Sequence, residues 1–472
     1  MLIKSISGIR GTIGGKSNEN LTPIDVVKFT VAYSKWLQSS YGPSKKLKIV
    51  VGRDARISGE SIHQLVIHTL IFCGIDVVDL GLSTTPTVEM MVTEHKANGG
   101  IIVTASHNPL QWNALKLLNN EGEFLSDEDG KKVLEFSEDI DSFIFADIQK
   151  LGKITQDTEA IDKHIDKILS LKYVDVAAIK KAKFKVVVDA VNSVGGIAVP
   201  KLLKKLGVSE IIELNCEPTG HFAHNPEPLP ENLVDLSFEV KRQNAHIGIS
   251  VDPDVDRLAI ICENGEPFGE EYTLVAVADY ILSVNNGGNT VSNLSSTQAL
   301  RDITLKHKGQ YFASAVGEVN VVKKMKEVNA IIGGEGNGGV ILPELHYGRD
   351  ALIGIALFLT YLAKTKKTVS HLRDSYPHYY ISKNKVELDK SINVREIIES
   401  IQNKYKSYPL NTEDGLKIEL NDKEWIHLRQ SNTEPIIRIY AESQTQKTAD
   451  NLAHKMIMDI KEIIKEKQSS LL

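Results

Sequence analysis

Cysteine is scarce in this chain of 472 residues: Cys73, Cys216 and Cys262 all sit in or beside apolar segments, with no Cys-x-x-Cys spacing. That argues against a disulfide framework and leaves buried free thiols in a reducing compartment. Positive charge is not in excess either. A formal net charge of −6 gives no overall attraction for nucleic acid or an anionic membrane, so neither is expected as a partner. Long hydrophobic runs are missing. The longest, about 351–363, falls short of the ~20 residues that span a bilayer and reads as a core helix. Near the start, Met1-Leu2-Ile3-Lys4 leads into Gly8-Ile9-Arg10-Gly11 without a signal-peptide pattern, and a cytoplasmic location is expected.

What is present is a chain with 42% hydrophobic and 25% charged residues, as in soluble globular proteins. At roughly 100–200 residues per domain, its length implies several domains. Short β-branched runs alternate with helix-period segments over most of the chain. Runs at 47–51, 75–80 and 101–103 read as strands, with a helix over 61–72. A second series has strands at 184–188, 210–214 and 247–251 and a helix over 197–206. A third has strands at 258–262, 290–294 and 330–332. This alternation indicates βαβ units and mainly parallel sheets. From about residue 375 the pattern becomes more polar α+β, ending in an amphipathic helix over about 448–465.

Three apolar strands end in unusual loops, and ligands of open α/β sheets bind beyond such strand ends. The first loop is Thr104-Ala105-Ser106-His107-Asn108-Pro109. A serine after a strand is most often a helix N-cap. Here Pro109 favours an open turn, and Asn113 and Lys116 follow as a donor and a cation for a phosphorylated side chain. No nucleophile elbow of the hydrolase type is present. The second loop, Asp252-Pro253-Asp254-Val255-Asp256-Arg257, carries carboxylates at alternate positions. An EF-hand is excluded because Arg257 stands where glycine is needed and an apolar strand follows. Three carboxylates so close repel unless a cation relieves them, and Mg²⁺ favours few carboxylates plus a phosphate oxygen. A phosphate-bearing serine and a Mg²⁺ cluster together suggest phosphoryl transfer.

The third loop, Gly333-Gly334-Glu335-Gly336-Asn337-Gly338-Gly339, lacks the Lys-Ser/Thr of a P-loop. Glu335 and Asn337 offer an acceptor and an amide suited to sugar hydroxyls, whereas an acidic side chain repels phosphate. A fourth loop, Arg429-Gln430-Ser431-Asn432-Thr433-Glu434-Pro435 with Arg438 beyond, makes a compact anion cradle.

In order and spacing these four motifs resemble those of the α-D-phosphohexomutase superfamily, and the resemblance covers essentially the whole chain. GIRGTIG at 8–14, VGRDARISGE at 51–60 and NPEPLPENL at 225–233 extend it. The resemblance implies a heart-shaped, four-domain α/β protein: three similar α/β domains with mixed, mainly parallel sheets, and a smaller C-terminal α+β domain. Expected boundaries are 1–152, 153–254, 255–372 and 373–472. It further implies a phosphorylated Ser106 that exchanges phosphate with a hexose phosphate through a hexose 1,6-bisphosphate, with Ser106, Asp252, Asp254 and Asp256 as Mg²⁺ ligands. Arg257 is expected beside the transferring phosphate, and Glu335 and Asn337 on the sugar. Arg429, Ser431, Asn432, Thr433 and Arg438 are expected to hold the non-reacting phosphate. Lys116 matches a family position that handles the hydroxyl proton, with Arg10 and His107 holding phosphate or orienting the serine. Movement of the fourth domain is expected to let the intermediate turn around.

Departures from the family pattern also matter. Many members have Ser-Gly-His in the sugar loop where this chain has Asn337-Gly338-Gly339, so no histidine role carries over. Pro253 replaces a common glycine. The variant loop and the segment Pro343–Asp350 resemble branches assigned as phosphoglucosamine mutases, so glucosamine 6-phosphate is the leading expected substrate. A phosphomannomutase or phosphoglucomutase of broader tolerance is the alternative, followed by a sugar phosphatase and a silent sugar-phosphate sensor. The expected partners are small sugar phosphates, and the chain is read as a monomer or homodimer.

Overall fold

A computed structural model describes residues 1–5, 8–42, 45–388, 392–430 and 436–469. The chain divides into two compact units, one made of Met1–Ile281 with Asn337–Arg373 and the other of Leu282–Gly336 with Asp374–Leu472.

The first unit holds two sheets. Among the described residues, the larger runs Leu2–Ser5, Gly8–Thr12, Trp112–Leu118, Gly99–Val103, Lys48–Arg53, Asp76–Leu82, Ile154–Gln156 in spatial order. Its far half is parallel, built from crossovers through helices Gly59–Phe72 and Thr85–Glu94. Its near half is antiparallel, because Trp112–Leu118 turns back on Gly99–Val103. The second sheet runs Leu258–Cys262, Ile247–Val251, Lys185–Asp189, Glu210–Leu214. Strands Gly99–Val103, Ile247–Val251 and Leu258–Cys262 are buried throughout, which explains sequences that are apolar but for Ser250. The apolar stretch read as a core helix is the buried helix Ala351–Thr365, its N-terminus capped by Asp350.

One grouping expected from sequence is corrected. Leu258–Cys262 does not begin a third series; it pairs antiparallel with Ile247–Val251, Val251 facing Leu258. The connecting loop is too short for a parallel crossover, which needs a dozen or more residues, so only a hairpin can form.

The second unit contains the parallel strands Tyr311–Ser314, Thr290–Asn293 and Ile332–Glu335. It also contains an antiparallel sheet in the order Tyr380–Glu387, Ile436–Ser443, Glu424–Gln430, Leu416–Asn421, Leu410–Asn411. Part of the glycine-rich segment read as a loop is thus strand. Helix Gln446–Ser469 covers the antiparallel sheet and confirms the amphipathic C-terminal helix. Buried polar links join the two parts of this unit: Lys417 donates to the Leu294 carbonyl at 2.8 Å, and Glu442 accepts from the Gln298 N–H at 3.0 Å. None of the three cysteines is joined in a disulfide, and burial pushes the thiols of Cys73 and Cys216 up to about 11 and about 12. Among the described residues no helix is long and apolar enough to cross a membrane.

Candidate active site

Ser106 stands just past the buried strand Gly99–Val103, with φ of +48°, a conformation uncommon for a residue with a side chain. Its surroundings hold it there. The Arg56 side chain is buried, and its guanidinium donates to the carbonyls of Ser106 at 2.5 Å, Asn108 at 2.6 Å, and Pro109 and Trp112 at 2.9 Å. Asp54 pairs with Arg56 Nε at 3.2 Å and accepts from the Thr104 hydroxyl at 2.6 Å, and Thr104 Oγ1 in turn accepts the Ser106 N–H. A planar fork serving several carbonyls is a task for arginine alone. The serine oxygen is left facing the second loop: Ser106 Oγ donates to Asp252 Oδ2 at 2.7 Å and lies 3.3 Å from His107 Nδ1.

The carboxylate loop follows the strand Ile247–Val251. Asp252 Oδ1 accepts the N–H groups of Asp256 and Arg257, both at 3.1 Å, and fastens the turn. Asp254 Oδ2 accepts from Thr85 Oγ1 at 2.6 Å and from Lys116 Nζ at 2.7 Å. Asp256 Oδ2 accepts from Arg349 Nη2 at 2.7 Å. All three carboxylates are fully buried, and their ligand oxygens lie within 4.8 Å of one another. The other oxygens of Asp254 and Asp256 are buried without a hydrogen-bond partner. Burial, then the charges of Asp256 and Asp254, pushes the Asp252 carboxyl well above its ordinary range. For Asp254 burial acts the same way, but the Lys116 ammonium outweighs it and the carboxyl is held low. A hard oxygen-ligand set with orphaned oxygens and mutual repulsion fits a divalent cation.

Beside this group lies a cavity of about 110 Å³ walled by Arg10, Ser106, His107, Lys116, Arg257 and Arg349, among others. The wall is strongly cationic. Burial, followed by Arg257 and Arg349, pushes the His107 imidazole well below its ordinary value, so it is neutral at neutral pH. Burial and Arg257 also lower Arg10. Lys116 behaves oppositely: burial disfavours its charge, but Asp254 and Asp256 prevail and the ammonium is held. Crowded cations around a small cavity suit a phosphoryl group.

In the second unit, Glu335 Oε1 accepts from Asn293 Nδ2 at 2.9 Å and from the Gly317 N–H at 3.1 Å. Arg429 and Arg438 stand directly opposite each other on neighbouring strands, with Arg429 Nε 2.7 Å from Asp414 Oδ2. Facing like charges are destabilising unless an anion joins them. Ser431, Asn432 and Thr433 lie outside the described residues. In the first unit, Asn337 Oδ1 accepts the Gly339 N–H at 3.2 Å. Gly338 (φ +84°) packs so closely that a Cβ would sit 2.3 Å from the Leu258 carbonyl oxygen.

Sequence models described as phosphoglucomutase/phosphomannomutase match in succession: α/β/α domain I at residues 2–143, domain II at 162–265, domain III at 269–380 and the C-terminal domain at 384–458. A phosphoglucomutase/phosphomannomutase of Thermococcus kodakarensis is 37% identical over 96% of this chain and 99% of its own. The chain belongs to the phosphohexomutases. Another relative, the phosphoglucosamine/phosphogalactosamine mutase of Sulfurisphaera tokodaii, is 32% identical over 95% of this chain and 97% of its own. A crystal structure of a phosphoglucomutase/phosphomannomutase family protein from Burkholderia thailandensis covers 98% of both chains, with a TM-score of 0.82 and 25% identity.

The protein is therefore an isomerase of this family with four domains, mixed α/β sheets in three of them and an antiparallel sheet in the smaller fourth. The structure brings Arg10, Ser106, His107, Lys116, Arg257 and the three aspartates of this phosphohexomutase together within the first unit. It corrects Asn113, which is buried and donates to Ser58 Oγ at 2.9 Å instead of facing a phosphate. Three residues that hold this cluster were not singled out from sequence: Arg56, Arg349, and Glu227, whose Oε1 lies 3.1 Å from Arg257 Nη1. Arg56 and Glu227 fall inside segments that carried the family resemblance and Arg349 inside the one that carried the branch resemblance, and that was the signal available.

Proposed function

We propose that this phosphohexomutase interconverts hexose 6-phosphates and hexose 1-phosphates through a phosphorylated Ser106. The observation that carries the reading is Ser106 Oγ, 2.7 Å from Asp252 and facing a cavity walled by three arginines and Lys116. The sugar O1 hydroxyl attacks the phosphorus. A P–O1 bond forms, the bond to the serine oxygen breaks, and hexose 1,6-bisphosphate results. After the sugar turns around, Ser106 takes back the phosphoryl group from O6, releasing the 1-phosphate. Such transfer depends on positioning and on neutralising spread-out charge. Arg10, Arg257 and Arg349 supply that neutralisation. Lys116, as an ammonium, supplies a proton to the serine oxygen as its bond to phosphorus breaks and is recharged by the proton that the O1 hydroxyl loses, and neutral His107 orients the serine oxygen. Asp252, Asp254 and Asp256 would hold Mg²⁺, which when bound screens the phosphoryl oxygens. Glu335 and Asn337 read sugar hydroxyls, and Arg429 and Arg438 with Ser431, Asn432 and Thr433 hold the non-reacting phosphate.

For the substrate, the 37% identical relative supports glucose 6-phosphate and mannose 6-phosphate. The Sulfurisphaera relative and the sugar-loop pattern support glucosamine 6-phosphate as the second reading. Phosphorus NMR with Mg²⁺ and a trace of hexose 1,6-bisphosphate, run on the three 6-phosphates in parallel, separates them. Fast 1-phosphate formation from glucose and mannose supports the first reading, and turnover of the amino sugar alone replaces it with the second. Free phosphate without any 1-phosphate makes the protein a phosphatase and ends the proposal.

A further inference from the structure

Away from the carboxylate triplet, the first unit buries a second cluster of ligating side chains. His164 lies on the helix Ala160–Ser170, and His346 and Asp350 lie on the segment that enters the helix Ala351–Thr365. Their donor atoms are all within 4.8 Å of one another. The side chains of His164 and Asp350 are fully buried, and that of His346 is 12% exposed. Asp350 Oδ2 is 3.0 Å from His164 Nε2 and 3.4 Å from His346 Nε2. Ligands placed about 2.0–2.1 Å from a tetrahedral zinc ion stand about 3.3 Å apart, so these separations match the edges of such a site.

The far side of each side chain is also engaged. His164 Nδ1 is 2.9 Å from the Thr87 hydroxyl, and His346 Nδ1 is 3.4 Å from Glu89 Oε2. Asp350 Oδ1 accepts the N–H groups of Leu352 at 2.8 Å and Ile353 at 3.3 Å. Metal-binding imidazoles are usually oriented in this way, with the second ring nitrogen on a carboxylate or another polar partner and the ligating carboxylate itself hydrogen-bonded. Both imidazoles bring Nε2 to the same carboxylate oxygen, Asp350 Oδ2, so the three donor groups converge on one point.

We propose that His164, His346 and Asp350 bind a borderline-soft divalent cation, best matched by zinc, at a site separate from the all-oxygen aspartate triplet. Two imidazoles and one carboxylate suit zinc, whereas three carboxylates suit magnesium. The bound ion braces the helix Ala160–Ser170 against the segment bearing Arg349, the residue that grips Asp256. Its role is structural, and it holds whatever the sugar substrate is.

The test uses the full chain, stripped with a chelator, exposed to zinc in a large excess of Mg²⁺, then gel-filtered and assayed for metal. About one equivalent of zinc retained per chain is expected, together with a zinc-dependent rise in Tm. Cobalt in place of zinc should give the visible absorption of a low-coordinate site. The His164→Asn/His346→Asn double variant should lose both signals, while Asp252→Asn should keep them. Failure of the wild-type chain to retain zinc overturns the proposal without recourse to any variant. So does equal retention by the double variant, or loss of retention in Asp252→Asn.

Discussion

Arg56 shows how much of this site depends on a residue that faces away from the cavity. Its guanidinium reaches carbonyls at Ser106, Asn108, Pro109 and Trp112, and a lysine, being a point charge, cannot serve them together. Arg56→Lys is expected to lower kcat by about 10²-fold through misplacement of Ser106, with a smaller change in KM, measured by steady-state kinetics. Lys116→Met removes the proposed proton donor and should cost about 10²–10⁴ in kcat while leaving Ser106 in place, as slow but complete phosphorylation of the serine on long incubation with bisphosphate would show. Ser106 and the aspartates were legible in the sequence because each lies in a short motif with an unusual composition. Arg349 and Glu227 were not, because their partners Asp256 and Arg257 are distant in sequence and only the folded chain brings them together.

At the scale of elements, the strand Trp112–Leu118 escaped the sequence reading although it carries Lys116. It lies inside its sheet between Gly8–Thr12 and Gly99–Val103, and most of its residues are buried, so no alternation of polar and apolar residues marks it. The hairpin at Leu258 was missed for a different reason. An apolar run shows that a strand exists, but the length of the preceding loop decides its direction. Close packing beneath the serine strand yields a third expectation. A Cβ at Gly99 would lie 2.1 Å from the Tyr33 hydroxyl oxygen and 2.7 Å from the Leu118 carbonyl oxygen. Gly99→Ala should therefore destabilise the protein by about 1–3 kcal/mol, read from thermal or urea unfolding.

At the scale of the molecule, the α/β alternation and the polar C-terminal segment were readable, and the family matches bear out the four domains. The buried polar links within the second unit were not readable. His427 is one: it is 1% exposed, with Nδ1 2.9 Å from Ser295 Oγ and Nε2 2.7 Å from the Asp414 carbonyl. Burial pushes its imidazole down to about 4. The unfolded chain then takes up a proton below about pH 6.5 that the folded chain refuses, so His427's share of stability is full above that pH. It is lost as pH falls towards 4, by up to about 3 kcal/mol. His427→Gln should flatten the fall in unfolding stability between pH 6.5 and 5 relative to the parent protein.

The proposed transfer turns on one oxygen atom, Ser106 Oγ, and mass spectrometry of the chain treated with hexose 1,6-bisphosphate reads its state. One phosphoryl group is expected, located on Ser106 by peptide fragmentation and discharged to bisphosphate on addition of the hexose 6-phosphate that the enzyme turns over. Steady mutase turnover with the phosphoryl group on another residue, or undiminished turnover by Ser106→Ala, would contradict it.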